Sequence, residues 1–142
     1  ASITASGLKK PSQGGGPAYY FHIDASGKLL TACGEYMPPA DRLRAIRNHI
    51  IADATGFGNL LKDRGLNERF GGLSPEDSLV RPPKGYEADA PHIEQLKLKS
   101  FLVWREVSAS RIASDQLPAM LLADFFAGQP LVKWLRGAGP TP

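Results

Sequence analysis

The sequence predicts an α+β domain: a small antiparallel sheet of three to four strands covered by amphipathic helices. Three observations lead to that class. Patterned segments run strand, strand, helix, helix, strand, helix, helix, which is neither regular βαβ alternation nor an all-helical chain. An aromatic run of period two is followed by turn residues and a second β-favouring run, the signature of a hairpin. Several apolar stripes recur at helical spacing, and a sheet this small needs such cover to be stable.

Residues 1–17 are rich in Gly, Ser and Ala and end in Gly14-Gly15-Gly16-Pro17. They offer little apolar surface to offset the entropy of ordering, so a flexible lead-in is expected. A phosphate-cradling glycine loop would need a strand before it and a helix after it. An aromatic strand follows instead. In Tyr19-Tyr20-Phe21-His22-Ile23-Asp24, alternation puts Tyr20, His22 and Asp24 on one face and Tyr19, Phe21 and Ile23 on the apolar face. Ala25-Ser26-Gly27-Lys28 supplies the turn, and Leu29 to Tyr36 reads as the return strand. Gly34 within it marks a bulge or a close backbone approach.

Pro38-Pro39 ends that strand and suits the first turn of a helix. Leu43, Ile46, Ile50 and Ile51 predict an amphipathic helix over 39–54, with Arg42, Arg44 and Asn48 mostly off the stripe. Phe57, Leu60 and Leu61 mark a second short helix, stopped by Gly65. Turn formers dominate 66–91, which reads as one long loop containing a brief edge strand, Leu79 to Lys84. A short helix is expected from Pro91 through Ile93, Glu94 and Leu96, then a strand from Phe101 to Val107. Ser114 or Asp115 is expected to cap a helix holding Leu117, Met120, Leu121, Phe125 and Phe126. Gly128 and Pro130 should break it before a last amphipathic turn with Leu131, Trp134 and Leu135. The single domain is placed at 18–138, with 139–142 as a tail.

Composition narrows the function classes. At 142 residues and 15.3 kDa, with 42% hydrophobic and 22% charged residues, the chain suits one core and excludes disorder throughout. No run of about 18 apolar residues exists, so no membrane partner is expected. The single cysteine, Cys33, excludes an internal disulfide framework and a multi-Cys zinc site, and is expected to be a buried small hydrophobe. Seventeen Lys plus Arg against fourteen Asp plus Glu leave a net charge of +3, far below a dedicated nucleic-acid binder. The chain opens at Ala1 with no charged segment leading into an apolar one, so no secretory signal is visible and the cytoplasm is the expected location.

Three constellations carry chemistry. The basic one comes first: Arg81-Pro82-Pro83-Lys84-Gly85-Tyr86 is stiffened by prolines, and Lys97 and Lys99 follow at two-residue spacing before Phe101. If 97–101 is extended, Arg81, Lys84, Lys97 and Lys99 converge with His22 on one compact site for a small anionic ligand or an anionic polymer. Otherwise the lysine stems cover apolar surface and their heads are solvated. The second is His22 with Asp24 or Glu35, an acid–base pair for an enzyme of unknown reaction. The third is a structural module that forms a homodimer through a sheet edge or the Trp134 face. His22, His49 and His92 lack metal-ligand spacing, the serines lack a G-x-S-x-G elbow, and no metal or cofactor is expected.

Five ordered motifs carry a resemblance. They are Tyr20-Phe21-His22-Ile23, Met37-Pro38-Pro39 leading to Leu43-Arg44-Ala45-Ile46-Arg47, Leu79 through Tyr86, Leu96-Lys97-Leu98-Lys99-Ser100-Phe101, and Pro130-Leu131-Val132-Lys133-Trp134-Leu135. Together, across 18–136, they resemble the C-terminal two-thirds of the DUF2461 family of bacterial and fungal proteins. The chain departs from that pattern where Ala32-Cys33-Gly34 stands for a glycine-rich stretch. It also lacks the upstream R-x-x-R-D-x-R-F and K-x-P-Y-K segments. The resemblance therefore implies part of a larger family domain or a diverged member lacking that upstream segment, and it implies a fold rather than an activity.

Overall fold

A computed structural model describes residues 16–108 and 115–138. Most of the expected lead-in and all of the tail lie outside the described residues. β1 (Ala18–Ile23) and β2 (Lys28–Glu35) form the hairpin, and β3 (Phe101–Ser108) pairs antiparallel with the other edge of β2. The Asp24 carboxylate closes the turn by accepting from the Ser26 N–H (2.9 Å), the Ser26 hydroxyl (2.6 Å) and the Lys28 N–H (2.9 Å). Register aligns Phe21, Thr31 and Arg105 in one row and Tyr20, Ala32 and Trp104 in the next. Side chains alternate, so these rows face opposite sides.

The helices are α1 (Ala40–Ala52), α2 (Ala54–Leu61), α3 (Arg64–Phe70), α4 (Ile93–Leu96) and α5 (Leu117–Arg136). They cover the face bearing Cys33, Phe101 and Val103, where Ile46, Ile50, Phe57, Leu66, Leu131, Val132 and Leu135 complete the main core. The other face holds a smaller cluster of Leu30, Ala32 and Leu102 under Tyr20, Tyr36 and Trp104. The α+β class expected from the sequence is the class observed.

Three local expectations differ from the structure. The segment read as one loop from residue 66 contains most of α3, which begins before the expected stop at Gly65. Asp63 caps it by accepting from the Leu66 N–H at 2.9 Å, and Gly71, in the left-handed region at φ 78°, ends it. No strand forms over Leu79 to Lys84; an isolated bridge joins Ser78 to Leu98. Pro82 and Pro83 have no N–H to extend a ladder.

Neither Gly128 nor Pro130 breaks α5, whose N-cap is Gln116 rather than Asp115; Ser114, the other expected cap, lies outside the described residues. Gly128 packs so close to β2 that a Cβ there would collide with the Cys33 side chain. Leu131, Val132 and Leu135 bury the following turns. That packing outweighs the hydrogen bond Pro130 cannot make. Pro130→Ala restores a donor in a helix already held in place, and is expected to stabilise the domain by about 1–3 kcal/mol in urea unfolding. A loss of stability would show that the proline ring itself is needed for packing.

Candidate functional site

α5 lies along β2, and this alignment builds the most charged buried site among the described residues. Four helix residues and two strand residues advance by nearly the same length, about 6 Å and about 6.6 Å. With Gly128 over Cys33, Asp124 one turn earlier therefore lies over Thr31. Register places Arg105 of β3 directly opposite Thr31, and the last turn of α3 brings Arg69.

Asp124 is 0% exposed and each of its oxygens accepts two hydrogen bonds. Oδ2 takes the Thr31 hydroxyl at 2.7 Å and Arg105 Nε at 3.0 Å. Oδ1 takes Arg105 Nη2 at 3.0 Å and Arg69 Nε. Burial raises the Asp124 pKa, but hydrogen bonds from Arg105, Thr31 and Arg69 outweigh it and leave it below the ordinary carboxylate value. A carboxylate with all four acceptor positions filled is a brace, not a proton acceptor.

The arginines are only partly used. Two guanidinium groups against one carboxylate leave a charge of +1, and their side chains stay 37% (Arg69) and 23% (Arg105) exposed. Among the described residues, Arg69 Nη1 and Nη2 and Arg105 Nη1 donate no hydrogen bond. Arg69 Nε and Arg105 Nη2 donate to the same oxygen, so the two guanidinium groups meet at Asp124 Oδ1. Two other arginines contrast with this. Arg42 pairs with buried Glu35 and donates to Ala138 O (2.7 Å) and Leu135 O (3.1 Å), closing the end of α5. Arg47 donates to Leu96 O (2.8 Å) and Leu98 O (3.1 Å), stapling the chain ahead of β3.

The basic residues singled out in the sequence lie apart from this cluster's contacts. Arg81, Lys84 and Lys99 are exposed, with no side-chain bond to a described residue. Lys97 is not in an extended arm but is the αR cap of α4, its ammonium paired with Glu94 at 3.3 Å. His22 is exposed on β1, aligned through Leu30 with Glu106. Glu106 lies about 17 Å along β3 from Phe101, the end that Lys99 leads into. No contact joins His22 to the four cations.

No contact joins the acid–base trio, His22, Asp24 and Glu35, to one another. Asp24 is committed to the turn, and Glu35 pairs with Arg42 on the sheet face opposite His22. The other histidines support packing: His49 stacks on Trp134 with centroids 4.2 Å apart, and His92 Nε2 lies 2.9 Å from Ala54 O. Trp134 is itself packed on Phe57 at 4.8 Å and donates to Asp53 at 3.3 Å, so much of its face is internal. Cys33 is fully buried, as expected; burial and then the Asp124 charge push its thiol pKa up to about 12, which removes it as a nucleophile.

Arg69, Arg105, Asp124 and Thr31 were not assembled by reading the sequence. One signal pointed to them. Asp124 sits seven residues after Leu117, on the apolar stripe of a helix, and a charge at such a position demands partners.

Comparison with known proteins adds a family. The model described as conserved hypothetical protein (DUF2461) matches residues 1–134. No curated protein and no solved structure matches the chain. Among the described residues, no helix is long and apolar enough to cross a membrane.

Proposed function

Given that this chain belongs to the DUF2461 family, we propose that the domain binds a small anionic ligand, held by Arg69 and Arg105 on the Asp124 brace. One observation carries this reading: two guanidinium groups share a carboxylate oxygen, retain a net positive charge, and keep Nη donors unspent. Charge-assisted bonds from arginine forks are among the stronger polar contacts a surface can offer. The brace also fixes both side chains beforehand, so less side-chain entropy is lost when a ligand arrives. Arg81, Lys84 and Lys99 are exposed cations outside this centre's contacts. A polymer would draw on a row of cations, each neutralising a phosphate, and the cluster is a single point of charge.

Thermal unfolding against inorganic phosphate, sulfate, nucleotides and organic acids, each matched to sodium chloride at equal ionic strength, tests the reading. A ligand that binds only the folded form raises the melting temperature in a saturable way. At least one anion is expected to do so with the native chain and with the Arg81→Gln/Lys84→Gln double variant, and to fail with Arg69→Gln. If no anion exceeds chloride, or if the loop variant loses the shift and Arg69→Gln keeps it, the reading is overturned.

A further inference from the structure

The charge balance of the cluster narrows the ligand class. We infer that the anion is a carboxylate, held between the unspent Nη ends of Arg69 and Arg105; this rests on the reading of that pair as an anion receptor. Two guanidinium groups and Asp124 sum to +1 in a partly buried setting, where excess charge of either sign is costly. A monoanion neutralises the cluster. A phosphate monoester, carrying about −1.5 to −2 at neutral pH, would overshoot and leave the site negative.

Shape points the same way. A carboxylate offers two coplanar oxygens that match the planar end of a guanidinium group. Asp124 already demonstrates this fit: one carboxylate bridges both arginines, taking Arg105 through Nε and Nη2 and Arg69 through Nε. A second carboxylate on the remaining Nη groups would repeat that geometry from the solvent side and complete an alternating row of charges. A phosphodiester is also a monoanion, but its chain would need further cations along its path. On α3 the neighbouring Arg64 is paired with Glu68 at 2.7 Å.

Two sources share this chemistry, a free organic acid and an acidic side chain presented by a peptide. The test compares four additions to the native chain at equal ionic strength: sodium acetate, a glutamate-containing peptide with blocked termini, inorganic phosphate, and sodium chloride. Acetate or the peptide is expected to produce a saturable rise in melting temperature at least twice that of phosphate. That rise should vanish in Arg69→Gln. In Arg105→Lys, which keeps the charge and loses the planar fork, affinity should fall about tenfold. Should Arg69→Gln fail to fold, the Arg105→Lys comparison stands alone.

A response to acetate as well as to the peptide assigns a free acid; a response to the peptide alone assigns a protein carboxylate. Saturable stabilisation by phosphate with neither carboxylate active overturns the carboxylate class and leaves the anion receptor standing. Silence from all three anions relative to chloride overturns the carboxylate class, and the anion receptor falls with it when sulfate and nucleotides are silent as well.

Discussion

Asp124→Asn is expected to destabilise the domain by about 3 kcal/mol, because it leaves two guanidinium groups facing each other without their shared counter-charge. The figure lies toward the lower end for breaking a buried pair, since Arg69 and Arg105 keep part of their solvent contact. The asparagine would also aim an N–H₂ group at donors, leaving Thr31 or an arginine nitrogen unpaired. Urea unfolding measures the effect, and a midpoint unchanged from the native chain would refute the brace.

The same residue sets an acid limit. The folded-state pKa of Asp124 lies below its unfolded value, so the unfolded chain binds the proton more readily. The stabilisation is therefore complete above the unfolded value, near pH ~3.9, and is lost as pH falls through the folded pKa. Stability measured from neutral pH downward should fall more steeply through that acid window in the native chain than in Asp124→Asn. Replacing Asp124, Arg69 and Arg105 together by apolar residues should recover much of the loss, because the desolvation cost then disappears along with the attraction.

Gly34→Ala is expected to be more damaging still, with a loss of about 4 kcal/mol or failure to fold at all. Gly34 sits in the middle strand at φ 128°, a conformation L side chains rarely adopt, and an added Cβ would collide with the backbone carbonyl of Phe101. Backbone inside a sheet cannot swing aside as a side-chain tip can, so β2 and β3 would have to part where they pair. Gly27 supplies the control. It too has positive φ, at 84°, but open space surrounds its missing Cβ. Gly27→Ala should cost about 1 kcal/mol, the backbone strain alone. Equal stability for the two variants in urea would sink the close-approach argument.

Gly34 also shows what a local pattern conveys. A glycine inside a β-favouring run announces a backbone approach wherever the strand goes, and the unbroken register chooses the approach over the bulge. The hairpin and α1 were legible for the same reason: period, turn residues and prolines act within a few positions. α3 is bracketed by Asp63 and Gly71, but it is short and the turn formers that follow it mask its pattern in the sequence. Pro130 misled because a local rule that favours breaking the helix was overruled by burial on both of its sides.

Sequence by itself therefore determined the fold class, the hairpin, the buried cysteine and the glycine within its second strand, all consequences of short-range sterics and hydrophobic spacing; it did not foresee that Phe21 and Ile23, on the alternation's apolar side, are exposed. Tertiary structure alone decided which cations share a site. Arg69, Arg105 and Asp124 come from three elements, and they meet because one helical turn of α5 matches two residues of β2 and strand pairing sets Arg105 across from Thr31. Lys97, two residues before Lys99, is turned by α4 and its ammonium is paired with Glu94. Charges have no periodicity that announces their partners; the packing of apolar faces places them, and the electrostatics follow.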